Sequence, residues 1–386
     1  REGVPDNPAA WLTAAAKHRA IDRVRRRALH ERKAGELTFE LETQLADAAP
    51  NLEREIERAL DDPIGDDLLR LIFISCHPVL SPEARAAMAL RLLGGLTTDE
   101  IARAFLVPEP TIAQRIVRAK RTLAEARVPF ELPVGAALAQ RLASVLEVIY
   151  LIFNEGHAAT AGDDWMRPAL CEEALRLGRI VAQRAPDESE VHGLLALMEL
   201  TASRLRARVG ADGAPVLLMD QDRGRWDALL IGRGLAALAR AEQLAAAQHA
   251  SSLGPYALQA AIAACHARAT RAQDTDWPRI VALYDALAQV APSPVVELNR
   301  AVALSMAFGP AAGLEAVDAL RGSAALARYP LLPAVRGDLL ARLGRPAEAR
   351  TEFERAAALT RNARERALMQ ARAAQCTRND DGTPLH

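Results

Sequence analysis

Between Thr111 and Leu123 the sequence gathers Gln114, Arg115, Arg118 and Arg121, an amide of the kind that reads base edges and guanidiniums of the kind that hold phosphates. Ile112, Ile116, Ala119 and Leu123 recur at helical spacing, which predicts an inward apolar stripe with Ala113, Gln114 and Arg118 turned outward. Such a helix does non-covalent work, the recognition of a polyanion. An ordinary solvated helix can also carry arginines, and arginine is the chain's habitual cation, because its only lysines are Lys17, Lys33 and Lys120. A second basic cluster runs from Lys17 to Lys33, with eight Lys or Arg against Asp22 and Glu31. The sign then reverses: between Glu36 and Asp62 stand nine carboxylates against Arg54 and Arg58.

Residues that suggest covalent or metal chemistry do not combine into a site. Asn154-Glu155-Gly156-His157, Asp163-Asp164, Glu190, His192 and His266 belong to no H-E-x-x-H, facial-triad or nucleophile pattern, so no enzymatic activity, cofactor or metal is expected. Asn154 and Gly156 are expected to end a helix. Asp220 to Asp227 has the acid spacing of a calcium loop without its closing glutamate; it is read instead as a helix-start network, with Asp222 or Asp227 paired to Arg223 or Arg225, or as a docking loop. Trp165, Trp226 and Trp277 are expected to be packing anchors. Cys76, Cys171, Cys265 and Cys376 lack paired C-x-x-C spacing, which fits a reducing cytoplasm.

Positioning these residues falls to helices. The chain has 386 residues and 41.6 kDa, enough for two or three domains. Half of it is hydrophobic and only 4% aromatic, and alanine makes up about a fifth, a balance that favours helix-on-helix packing and predicts an all-α fold. No apolar run approaches the roughly 20 residues of a membrane span, and no signal segment opens the chain. Asp6-Asn7-Pro8 starts an amphipathic basic helix bearing Trp11, Leu12, Ala15, Ile21 and Val24. The acidic stretch that follows reads as a tether. Ser81-Pro82-Glu83 starts a helix leading to Leu92; Thr97 or Thr98 caps another through Phe105; after a short turn the helix from Pro110 to Leu123 begins, which is helix-turn-helix spacing. From Leu138 to about Gln375 consecutive helices are punctuated at Pro186, Gly210 to Pro215, Gly254-Pro255, Pro292 to Pro294, Gly309-Pro310, Pro330 to Pro333 and Gly344 to Pro346. Gly344-Arg345-Pro346-Ala347-Glu348-Ala349 with Phe353 and Ala356 resembles the turn and second helix of a tetratricopeptide repeat, and Gly309-Pro310 stands close to one repeat period earlier.

Pro8-Ala9-Ala10-Trp11-Leu12 with Ala20 to Arg26 resembles the promoter-melting helix at the end of sigma domain two, and Leu96 to Leu123 resembles sigma domain four. The chain is thereby similar to the extracytoplasmic-function group of bacterial RNA polymerase sigma factors. Val148 to Gly156, Asp220 to Asp227 and Gly254-Pro255-Tyr256 with Gln259-Ala260-Ala261 resemble the subgroup with a long tetratricopeptide-like extension. This resemblance implies a remnant of sigma domain two over 1–33, whose upstream part is expected to be absent before Arg1, an acidic linker over 34–65, sigma domain four over 66–133 and the helical extension over 134–386. It implies minus-35 contacts by Thr111, Ala113, Gln114, Arg115 and Arg118, backbone contacts by Lys120 and Arg121, and phosphate contacts near minus-10 by Lys17, Arg19, Arg23 and Arg26. The implied partners are promoter DNA and core RNA polymerase, with the extension contacting the sigma domains or a regulatory protein, and no membrane. A different class of function, a tetratricopeptide interaction scaffold with a merely structural helix-turn-helix, predicts protein binding without promoter preference.

Overall fold

A computed structural model describes residues 66–380, apart from positions 94, 95, 106, 129–135, 160, 163, 211, 212 and 251. The basic helix and acidic tether expected before residue 66 lie outside the described residues. Among those described the fold is all-α, with fifteen α-helices and one pair of two-residue strands. The chain divides into two compact units at Val145.

The first unit contains α1 (Asp66–Ser75), α2 (Pro82–Leu92), α3 (Thr98–Phe105), α4 (Glu109–Glu125) and the beginning of α5 (Ala136–His157). Leu71, Ile74, Met88, Leu90, Ile101, Ile112 and Leu123 are fully buried and form its core. Helix starts follow capping chemistry. The Ser81 hydroxyl accepts from the amide of Ala84 with Pro82 in the first turn of α2. At α3, Thr97 Oγ1 accepts from Glu100 N (3.1 Å) while Glu100 Oε2 accepts from Thr97 N (2.8 Å), a reciprocal capping box that fixes how the chain enters the helix-turn-helix. The unit extends past the boundary expected at 133 because early α5 is fastened to the end of α1. Arg141 donates to the Phe73 carbonyl (3.0 Å), Ser144 Oγ to that of Cys76 (2.5 Å), and buried Arg85 donates to Ser144.

The second unit holds the rest of α5 and then α6 (Pro168–Arg184), α7 (Ser189–Ala202), α8 (Ala228–Ala247), α9 (Pro255–Arg268), α10 (Trp277–Val290), α11 (Pro294–Phe308), α12 (Pro310–Ala319), α13 (Leu331–Arg342), α14 (Pro346–Leu359) and α15 (Ala363–Asp380). Proline sits in the first turn of α6, α9, α10, α11, α12 and α14, where a missing amide hydrogen costs nothing. Gly309 (φ 98°) and Gly344 (φ 72°) make the turns before α12 and α14 in backbone conformations that other residues rarely adopt. Successive cores share helices. Ala260, Ala261 and Ala264 of α9 pack with Leu197, Leu200 and Leu238, while Leu258, Ile262 and Cys265 on the same helix pack with Ile280 and Leu287. In α11, Ala303 joins that core, and Leu298 and Ala301 join the next, with Leu314, Leu339 and Phe353.

One long-range clasp closes the unit. Ala161–Gly162 pairs in parallel with Arg361–Asn362, and the wholly buried Asn362 donates to the carbonyls of Ala159 (3.1 Å) and Asp164 (2.8 Å). Its Oδ1 accepts from the amides of Arg364 (3.0 Å) and Glu365 (3.2 Å) at the start of α15.

Two stability tests follow from this packing and capping. At Gly156 a Cβ would lie 2.7 Å from the Cys171 backbone nitrogen, so Gly156→Ala is expected to destabilise the protein by about 1–3 kcal/mol in thermal or urea unfolding. Gly232, with nothing within 4 Å, is the matched control, and Gly232→Ala is expected to add about 0.5–1 kcal/mol. Thr97→Ala is expected to cost about 1 kcal/mol, whereas Glu100→Gln, which preserves the reciprocal hydrogen bond, should leave the unfolding midpoint almost unmoved.

Candidate nucleic-acid interface

Helix α4 has two chemically distinct sides. Ile112, Ile116, Ala119 and Leu123 are buried, as their spacing predicts. Thr111, Gln114, Arg118 and Arg121 are exposed and recur at three- and four-residue steps along one line of the opposite side. Among the described residues the side chains of Thr111, Gln114 and Arg118 make no hydrogen bond or ion pair within the chain. Arg121 differs, because its Nε donates to Glu125 Oε1 at 2.7 Å one turn on. Ala113, Arg115 and Lys120 are half-buried on the flanks. Ala113 is thus less outward than periodicity alone suggests, since the flank of the stripe is covered by neighbouring elements. Arg115 faces the field of Glu83 on α2, whose carboxyl is held below the usual range mainly by its own backbone amide and Ser81, with Arg115 adding to the effect. Lys17, Arg19, Arg23 and Arg26 lie outside the described residues.

The entry to α4 is bare. Pro108 occupies its N-cap without a side-chain hydrogen bond, Pro110 stands in the first turn, and Pro108, Glu109, Pro110 and Thr111 are exposed. A helix start presents positive partial charge, which favours an approaching phosphate, and the exposed Glu109 carboxylate in the first turn offsets part of it. The arrangement offers base-reading groups on the crest and cations on or beside it, held by a core on the far side.

The other motifs resolve into structure. Asp222 accepts from Gly224 N (2.9 Å), and Asp227 accepts from Leu229 N (3.0 Å) and Leu230 N (3.1 Å) to start α8, so the helix-start reading stands. The expected pairing of these carboxylates with Arg223 or Arg225 does not form. Backbone amides at the helix start already occupy the acids, and the longer guanidiniums reach carbonyls instead: Arg223 those of His266 and Ala269 (2.8 Å), and Arg225 that of Val209 (3.5 Å). Glu190 accepts from Tyr256 N (2.8 Å) and Ala257 N (3.1 Å) at the start of α9, Glu155 pairs with Arg167, and His192 Nε2 meets the Pro186 carbonyl at 2.9 Å. Helix α5 ends at His157, beside Asn154 and Gly156. Among the described residues no group of three or more His, Cys, Asp or Glu is placed to hold a metal ion. Trp226 is buried, and Trp165 and Trp277 are half-buried. Sequence reasoning overlooked Arg204 and Arg208, which turn inward; the only signal was the density of arginine between 204 and 225.

Residues 70–123 match the family Sigma-70, region 4, and residues 141–242 match a family of unknown function, DUF6596. The Rhizobium meliloti (strain 1021) protein named "Uncharacterized protein R00370" is 45% identical over 371 residues, which is 96% of this chain and 84% of that protein. No solved structure matches. With a helix-turn-helix segment that matches sigma-70 region 4 and a helical segment after it that matches DUF6596, this chain belongs to the family of Rhizobium meliloti R00370.

Proposed function

We propose that the chain is a bacterial sigma factor of the extracytoplasmic-function group that directs core RNA polymerase to its promoters in the cytoplasm. The observation that carries this reading is the unengaged crest of Thr111, Gln114 and Arg118 on α4, inside the segment that matches sigma-70 region 4. In this reading α4 enters the major groove of the minus-35 element. Gln114 and Arg118 reach base edges, Thr111 and Ala113 approach the bases and sugar-phosphate wall, and Arg115, Lys120 and Arg121 hold phosphates. Lys17, Arg19, Arg23 and Arg26 hold phosphates near minus-10 as the duplex opens. The protein recognises; the polymerase carries out nucleotidyl transfer. Residues from 134 onward are a tetratricopeptide-like extension that regulates or supports this activity, a reading supported by the Gly309 and Gly344 turns and by helices buried on two sides. Among the described residues no helix is long and apolar enough to cross a membrane.

Capture of core RNA polymerase by the full chain, with promoter binding followed by fluorescence anisotropy across a salt series, tests the proposal. Arg118→Ala is expected to weaken binding and to reduce the salt slope by about 1 if it holds phosphate, while Gln114→Ala relaxes base preference at one position at a cost of about 1–3 kcal/mol. Arg121→Ala should cost less than Arg118→Ala because its guanidinium already satisfies Glu125. A chain that captures no polymerase and binds all duplexes alike sinks the sigma-factor reading.

A further inference from the structure

The connection from Ser203 to Asp227, inside the DUF6596 segment, carries Arg204, Arg206, Arg208, Arg223 and Arg225, and none of them forms an ion pair among the described residues. Three are drawn inward. Arg208 is buried, donates to the His157 carbonyl at the end of α5 and lies 5.6 Å from the Trp165 ring. Arg223 donates to the His266 and Ala269 carbonyls at the end of α9 and to Thr275 Oγ1 (3.3 Å), with its guanidinium 4.6 Å from the Trp226 ring. Both thereby compensate helix C-termini, a sufficient structural role. Arg204 has no such role. Among the described residues its guanidinium makes no hydrogen bond, and it lies 5.9 Å from the Trp226 ring.

Among the described residues Trp165 Nε1, Trp226 Nε1 and Arg223 Nε are buried donors with no hydrogen-bond partner, and His157 Nε2, His266 Nδ1 and one acceptor, Gln221 Oε1, are buried without one as well. Burial, with Arg204 and a second arginine beside each ring, holds both imidazoles down, His266 to about 4, so neither adds positive charge at neutral pH. Burial also lowers Arg204 to about 10, with Arg223 adding to the effect, and Arg208 to about 9, with Arg204 adding and Glu365 opposing. Among the described residues the nearby carboxylates make their hydrogen bonds elsewhere, Asp274 to Arg271, Asp222 and Asp227 to backbone amides, and Glu365 to Thr360 Oγ1, while Asp274 and Glu365 still favour the charged forms of Arg223 and Arg208 at longer range. Trp226 also forms one wall of an open cleft of about 700 Å³, lined as well by Arg206, Arg225, Asp227 and Leu229; Arg204 and Arg223 stand behind the Trp226 wall and are not part of the lining. Leu229 is 67% exposed.

We propose that this connection binds a small organic anion, a carboxylate or phosphate ester, whose charged group Arg204 holds together with Arg223 and Trp226 and whose body lies in the cleft against Leu229. Arg204 and the two indole N–H groups share one physical content: among the described residues they have no hydrogen-bond partner, and an anion would supply one. The extension is then a ligand-responsive module, whether or not the chain binds promoters.

The test uses the full chain, with inorganic phosphate and succinate as probes replacing chloride at constant ionic strength. Tryptophan fluorescence should change saturably with half-saturation below about 1 mM for at least one probe, and near 100-fold excess over that concentration the melting temperature should rise by about 5 °C or more. The probe that binds separates phosphate from carboxylate chemistry. Arg204→Met should abolish the response and melt no lower than wild type in chloride, because an uncompensated charge has been removed. Trp226→Phe keeps an aromatic face but loses the N–H together with the five-membered ring, and should weaken binding about tenfold or more. Absence of a saturable response to either probe, including the case in which only a glutamate-rich peptide binds, overturns the proposal. So does a wild-type response from Arg204→Met.

Discussion

Burial of single helices on two sides is the constraint on which the long second unit depends. Helices α9 and α11 each give one face to the core before them and the other to the core after. A helix in that position cannot carry large side chains all round and still bring its neighbours within van der Waals reach, so alanine and glycine line the contacts. A Cβ at Gly193 would meet the Ala257 backbone nitrogen at 2.7 Å, which shows how nearly α7 and α9 touch. The alanine content of the sequence is therefore a packing requirement as well as a helix preference. Substitutions there propagate, because a shifted helix disturbs two cores.

A row of helices packed in this way would leave its first and last members connected only through their neighbours. The Asn362 clasp changes that. One buried amide satisfies two carbonyls from the segment after α5 and two amides at the start of α15, and the short parallel pairing adds direction. In a dry site each of these groups would be costly to leave unpaired, so the clasp specifies one arrangement more than it adds net stability.

Arginine does opposite work in the two units. On α4, Arg118 stands exposed, and the helix owes its position to the apolar residues behind it, so its polar side is free for recognition. Around Trp226, arginines are spent on helix ends and aromatic faces, and among the described residues they form no ion pair with a carboxylate. Composition cannot tell these uses apart, since both regions read simply as rich in arginine.

The sequence by itself determined the helical class, the stripe Ile112–Ile116–Ala119–Leu123, the Ser81 helix start, a threonine cap at 97 or 98 and the turns at Gly309 and Gly344. Each of these rests on local spacing, capping or backbone freedom, which act over a few residues and are written in order along the chain. Tertiary structure alone decided the rest: the extension of the first unit to Val145 through Ser144 and Arg141, the half-burial of Ala113, the diversion of Arg223 from the nearby acids to the carbonyls of α9, and the pairing of residues 161–162 with 361–362. Those outcomes depend on which carbonyl, ring or amide from a distant segment lies within about 3 Å of a long polar side chain. Such contacts leave no periodic trace in the sequence.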